Sequence, residues 1–346
     1  MRSFDGAPFK SALFVLALFV APVICAAQTY SITDLGTLGG GESQAAGINA
    51  SGQVVGYSSP ATGVSGGAFL FSDGKITGLG TLGGTISAAQ GINASGEVAG
   101  YSTTIAKTYG AFLYRTGTMT NIGNLGGNYA VAYAINASGQ VVGYSMTASG
   151  LTHPFLYSQG KMTDLGTLGS TQAGWTNLAA AINTSGQIVG YSYLADGNFQ
   201  AFLYSGEKMT DLGTLGGDWS EAYGINDSGE ITGIAYTKGN VAGHAFLYSG
   251  GTMKDLGVLS GSYSWGYGIN AAGVVVGQSQ VDPSSENLVY HAFVYTGGKM
   301  QDLNKLIPSG SGWVLTQAAS INDSGQIVGY GTINKATHAF LLTPKP

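Results

Sequence analysis

The phrase INASGQVVGYS fills Ile48–Ser58, and close copies start at Ile92, Ile135 and Ile182. Degraded copies start at Ile225, Ile269 and Ile321. The asparagines that open the turns, Asn49, Asn93, Asn136, Asn183, Asn226, Asn270 and Asn322, are spaced by 44, 43, 47, 43, 44 and 52 residues. Two further phrases keep the same beat. One centres on Phe69, Phe112, Phe155, Phe202, Phe246, Phe293 and Phe340. The other, DLGTLGG in its full form, begins at Asp34, Gly78, Asn121, Asp164, Asp211, Asp255 and Asp302. A period of about 40 to 50 residues holding several short strands is the mark of propeller blades.

Each period reads as four strands. In the first copy these are the small-residue run Ala45-Ala46-Gly47-Ile48, then 53–58, then 68–71, then a strand around 76–79. Their residues are β-branched, aromatic or small, and turn residues bound them. Asn49-Ala50-Ser51-Gly52 reads as a tight hairpin turn in which the glycine takes positive φ at a bulge. Seven residues separate each asparagine from the glycine inside strand two, and nine separate Phe from the DLG position in the six internal copies. These two hairpins hold their length. The DLG-to-asparagine segment varies from 15 to 20 residues, and the link from strand two to strand three varies as well. The last repeat lacks its DLG strand, while the first begins with that strand alone at Tyr30–Gly36. The fragments complete one repeat, which suits a closed ring whose first strand pairs with the last blade. The expected fold is therefore all-β, a seven-bladed β-propeller over 28–346, with a β-solenoid as the alternative. A solenoid would rather have distinct caps.

Composition supports order. Charged residues make up 9% and glycines number 58, yet 44% of residues are hydrophobic and they alternate. The net charge of −5 without a basic run argues against nucleic acid. The segment 1–27 reads as a signal peptide, with Arg2 and Lys10 before an apolar stretch and small residues before Gln28. That implies secretion, loss of Cys25 (the single cysteine) and no membrane span in the mature chain.

The combination of HAFLY at His244–Tyr248, DLGTLGG at Asp211–Gly217 and INASGQVVGYS resembles the HAF-repeat family of bacterial extracellular proteins. The resemblance spans essentially the whole mature chain. It implies an extracellular repeat protein and assigns no activity. Gly67, Gly110 and Gln200 stand where the family motif has histidine, and Pro154 stands where it has alanine.

Most chemistry-bearing residues repeat, which favours building over acting. His153, His244, His291 and His338 share one repeat position on different blades, so a common metal ion is not expected. The DLG aspartates occupy near-equivalent slots, whereas a catalytic carboxylate needs a unique, tuned setting. Six of the turn asparagines also match the glycosylation sequon, a match the turn itself explains. No P-loop, GxSxG or HExxH pattern is present. No metal or cofactor is expected.

Informative residues are those that break the repeat. Both variable links emerge on one face of a propeller, and loops on rigid scaffolds carry function. Trp175, Trp219, Trp265 and Trp313 all fall between a DLG phrase and its asparagine, and Tyr129, Trp219 and Tyr263 lie seven residues before theirs. Such aromatics suit stacking on sugars or anchoring a protein. Asp218 and Glu221 flank Trp219 and could bond hydroxyls. The expected function is thus a secreted, monomeric, non-enzymatic binding module for a carbohydrate, cell-surface polymer or protein. Alternatives are a glycan hydrolase or lyase, for which Asp218 and Glu221 are the pair to test, and a purely structural matrix protein. Gap-filling between blades is the competing role for the aromatics.

Overall fold

The computed structural model describes residues 28–284 and 288–346. The signal peptide expected over 1–27 lies outside them. Seven four-stranded antiparallel sheets follow one another around an axis. Blades 1 to 6 span 39–78, 83–121, 126–164, 178–211, 216–255 and 264–302. Blade 7 takes three strands from 314–344 and its fourth from Tyr30–Asp34. That fourth strand pairs antiparallel with Ala336–Pro344, from Tyr30 opposite Pro344 to Asp34 opposite Phe340. The ring closes as the split repeat requires.

Within a blade the strands run outward in chain order. Blade 1 has Gly39–Ile48 inside, then Val54–Pro60, Ala68–Ser72 and Lys75–Gly78 at the rim. The inner strand is longer than expected, because the closing glycines of the DLGTLGG phrase already pair with the end of the second strand, Gly39 opposite Pro60. Rim strands in blades 1 to 6 have four residues each and open with Lys or Thr, devices that blunt an exposed sheet edge.

The cores lie between blades. Val55, Ala68 and Leu79 of blade 1 pack against Ala89, Val98 and Phe112 of blade 2. All seven repeat phenylalanines are fully buried. Each lies opposite the glycine of its second strand, as Phe69 does with Gly56. A Cβ on Gly56 would sit 2.0 Å from the Gln44 carbonyl oxygen and 2.9 Å from the Phe69 ring. A bulge between Ala45 and Gly47 accompanies this approach. The glycine therefore relieves crowding inside its own sheet. Close packing between sheets falls to other glycines, such as Gly91, whose Cβ would lie 3.0 Å from the Tyr133 carbonyl oxygen.

The repeated asparagine does more than turn the chain. Asn49 Oδ1 accepts from the backbone N–H groups of Ser51 and Gln53, and Gly52 takes φ +79°. Its Nδ2 donates to Gln53 Oε1 and, at 3.0 Å, to the backbone carbonyl of Asn93 in the next blade. Asn93 donates in the same way to Asn136, Asn136 to Asn183, Asn183 to Asn226, Asn226 to Asn270 and Asn270 to Asn322. Asn322 returns the bond to Asn49 at 3.1 Å. Seven buried asparagines thus form a closed circle around the axis. An amide that uses both donors and its acceptor in this way leaves no buried polar deficit.

Candidate functional site

The ring has two unlike ends. Asparagine turns and rim hairpins occupy one end, while both variable links open on the other. Between them runs a central channel of about 510 Å³. The isoleucines before the asparagines line the turn end, among them Ile48, Ile135 and Ile269. Farther along, Gln44, Gln90, Tyr133, Tyr223, Tyr267, Gln317 and Tyr330 enter the lining. Tyr330 donates to Gln317 at 3.2 Å. Tyr133, Tyr223 and Tyr267 make no such bond among the described residues. No side-chain polar atom there is both fully buried and unpaired, so these hydroxyls reach solvent. Burial pushes Tyr133 and Tyr267 well above the usual phenol range. Channel tyrosines were absent from the sequence-based candidates, although a signal existed. Tyr133, Tyr223 and Tyr267 stand where other copies carry Ala46, Ala180 and Ala319.

One sector of the variable face carries a continuous chain of aromatic rings. Trp175 stacks on Tyr193 at 4.6 Å between centroids, and Tyr193 meets Phe199 at 5.2 Å. Phe199 meets Trp219 at 5.0 Å, and Trp219 meets Tyr236 at 3.8 Å. The chain continues through Tyr263 and Trp265, which stack at 5.9 Å, to Tyr290 at 5.5 Å. All eight rings are half-buried and belong to blades 4 to 6 or to the link that leads into them. The sequence pointed to Trp175, Trp219, Tyr263 and Trp265, and the structure brings these together. Their partners Tyr193, Phe199, Tyr236 and Tyr290 come from the second and third strands, on either side of the other variable link. Trp219 and Trp265 sit on inner strands, not in loops as expected, since those strands begin early. Tyr129 stands apart in blade 3, edge-on to Tyr144 and bonded to Thr152 Oγ1 at 2.7 Å.

Trp313 corrects the sequence-based expectation. It is 9% exposed and packs edge-on against Phe340, in a cluster with Leu303, Leu306 and Leu315. The longest DLG-to-asparagine segment folds inward through a 3-10 turn at Leu303–Lys305, so this tryptophan fills core and presents no binding surface.

Asp218 and Glu221 have different settings. Asp218 is exposed and tied to Asn240, whose Oδ1 accepts from the Asp218 backbone N–H at 2.9 Å. Glu221 lies on the inner strand of blade 5, and its side chain has no hydrogen bond or ion pair among the described residues. Burial raises its carboxyl to about 7. Nearby Tyr236 is pushed up to about 12 by its own burial and then by Tyr263 and Glu221. The unfolded chain releases the Glu221 proton near the ordinary value of 4.5, whereas the folded chain keeps it to about 7. Stability from this group is full below the lower value and is lost as pH rises through the higher one. Glu221→Gln is expected to stabilise the protein by about 2 kcal/mol near pH 8, allowing for partial exposure, and to change little near pH 4. Urea unfolding at both pH values checks this.

Histidines and DLG aspartates build the rim. Nδ1 of His153 lies 2.9 Å from the Asp164 carboxylate, and His244–Asp255, His291–Asp302 and His338–Asp34 repeat the pair. Where histidine is missing, the aspartate slot changes or the substitute stays polar: Gly67 goes with Gly78 in its repeat, Gly110 with Asn121 and Gln200 with Asp211. The aspartates also cap their own turns, as Asp34 Oδ1 does by accepting from Gly36 N–H at 2.8 Å. Burial pushes Asp302 up, but hydrogen bonds from His291 and Asn304 outweigh it and hold the carboxyl below the usual range. No three His, Cys, Asp or Glu residues among the described ones are grouped to hold a metal ion.

Residues 216–341 match a family model described as a protein of unknown function (DUF3466). No match is found among curated proteins. Solved structures share the fold at low identity. Puromycin hydrolase matches with a TM-score of 0.52 and 14% identity, over 88% of this chain and 53% of that one. TolB from Acinetobacter baumannii gives 0.45 and 16%, over 72% of this chain and 63% of TolB. The β-propeller domain of the Trilobed protease from Pyrococcus furiosus gives 0.49 and 9%, over 75% and 82%. The chain spans less than two thirds of the puromycin hydrolase and TolB chains. No helix among the described residues is long and apolar enough to cross a membrane.

Proposed function

We propose that this protein is a carbohydrate-binding module that acts through the variable face of blades 4 to 6. The observation that carries the reading is the continuous eight-ring aromatic chain on one side of an otherwise repetitive ring. Nothing in the construction of a blade requires it, since blade 1 closes with Glu42 and blade 2 with Ile86 at the position of Trp219. Rigid, half-exposed rings offer flat apolar platforms to sugar faces at little entropic cost. The free hydroxyls of Tyr223 and Tyr267, which line the channel from blades 5 and 6, can bond sugar hydroxyls. The apolar stretch within 1–27 and the HAF-type motifs support export, so an extracellular or cell-surface polysaccharide is the proposed ligand.

Tryptophan fluorescence of the mature chain, titrated with a panel of polysaccharides and cell-wall fragments, tests this. A saturable change is expected, with affinity lowered about tenfold or more in Trp219→Ala and Trp175→Ala and unchanged in Tyr109→Ala, an exposed ring on blade 2. No saturable response to any glycan would overturn the reading.

A further inference from the structure

Glu221 is the one charged side chain at its place in the repeat. Five residues before the asparagine, the other copies carry Gln44, Ala88, Val131, Leu178, Trp265 and Gln317. Six blades build this position without a charge, so the fold does not ask for one. Glu221 follows Trp219 by two residues on the inner strand and lies opposite Ile234, so it shares a sheet face with Trp219 and its ring partner Tyr236, while Tyr191 and Tyr267 on blades 4 and 6 also feel its charge. None brings a positive charge, and no Lys, Arg or His pairs with the carboxylate among the described residues. A carboxylate partly withdrawn from water, with neither cation nor donor on it, is unfavourable, and such groups concentrate at functional sites. Its neighbours supply what a bound cation would use. Tyr236 meets Trp219 ring to ring at 3.8 Å, and aromatic faces attract ammonium groups.

We propose, building on the carbohydrate reading above, that Glu221 receives a cationic nitrogen, so that the ligand is a polysaccharide of sugars bearing free amino groups. The ammonium donates charge-assisted hydrogen bonds to the carboxylate while the sugar ring lies on the aromatic chain. A protein of net charge −5 also draws a polycation towards it.

Calorimetric titration near pH 7 with β-1,4-linked hexamers of glucosamine and of N-acetylglucosamine tests the assignment, because the two share a backbone and differ at the amine. The free-amine hexamer is expected to bind about tenfold tighter or better. Glu221→Gln should bring the affinities of the two hexamers to within about twofold of each other, with circular dichroism and a thermal melt showing an intact fold. Equal or weaker binding of the free-amine hexamer to the wild type would overturn the cation site and leave the carbohydrate reading standing. So would a preference that survives in Glu221→Gln. Binding of neither hexamer would overturn the cation site, and the wider glycan panel would then decide the carbohydrate reading.

Discussion

A chain shortened to begin at Leu35 is expected to lose its cooperative thermal transition and to aggregate. Removing Tyr30–Asp34 strips blade 7 of its rim strand and leaves Ala336–Pro344 as an open edge. It also removes Tyr30, which is 5% exposed in the core beside Leu306 and Leu342, and the Asp34 partner of His338. Loss of one buried aromatic alone costs about 3–5 kcal/mol, a large share of an ordinary domain's stability. The truncation uncovers Phe340–Pro344 and leaves a nine-residue strand at the edge, against four residues in the rim strands of blades 1 to 6, which invites pairing with other chains. Circular dichroism melts and gel filtration check the outcome. A synthetic peptide spanning 28–36 should restore part of the transition when added in excess. An unchanged melt in the shortened chain would show that the ring does not depend on its closing strand.

Asn136→Asp is expected to destabilise the protein by about 3 kcal/mol or more, although it exchanges a single NH₂ for an oxygen. Asn136 Nδ2 donates to the Asn183 carbonyl and to Gln140 Oε1. The substitution turns the contact with the Asn183 carbonyl into oxygen facing oxygen and places a charge at a site 4% exposed. Asn136→Ala should cost less, since it leaves a gap without repulsion. Ala137→Asp, one position along in the same turn but exposed, should cost almost nothing. Urea unfolding of the three variants gives the order. Equal midpoints for Asn136→Asp and Ala137→Asp would mean that the circle contributes nothing.

Much of the architecture was legible because a repeat writes its own alignment. Constant spacings marked two hairpins, variable ones marked the loops, and the split repeat announced closure. The asparagine circle was not legible. The acceptor of each bond is a backbone carbonyl 43 to 52 residues away, or 273 at the closure, and no side-chain pattern records it. The turn chemistry of Asn49 was sufficient to explain its presence, which hid its second task. The aromatic sector was half legible. Trp219 and Tyr263 break the repeat between DLG and the asparagine, a link whose variable length marks it. Tyr193, Phe199, Tyr236 and Tyr290 lie around the other variable link, and only the fold brings them beside the first set. Trp313 misled because sequence records that a segment is longer, not whether the extra residues turn outward or into the core.

The asparagine circle also bears on where this protein can be made. Six of its seven members sit in Asn-x-Ser sequons, and the atom a glycosyltransferase would modify is the Nδ2 that reaches the next blade. In the folded ring that nitrogen is sealed. In a eukaryotic secretory host the nascent chain meets the enzyme before it folds, and one attached sugar would stand where a neighbouring blade must pass. Production in such a host therefore sets glycosylation against ring closure at six places at once. A cytoplasmic or bacterial host poses no such conflict.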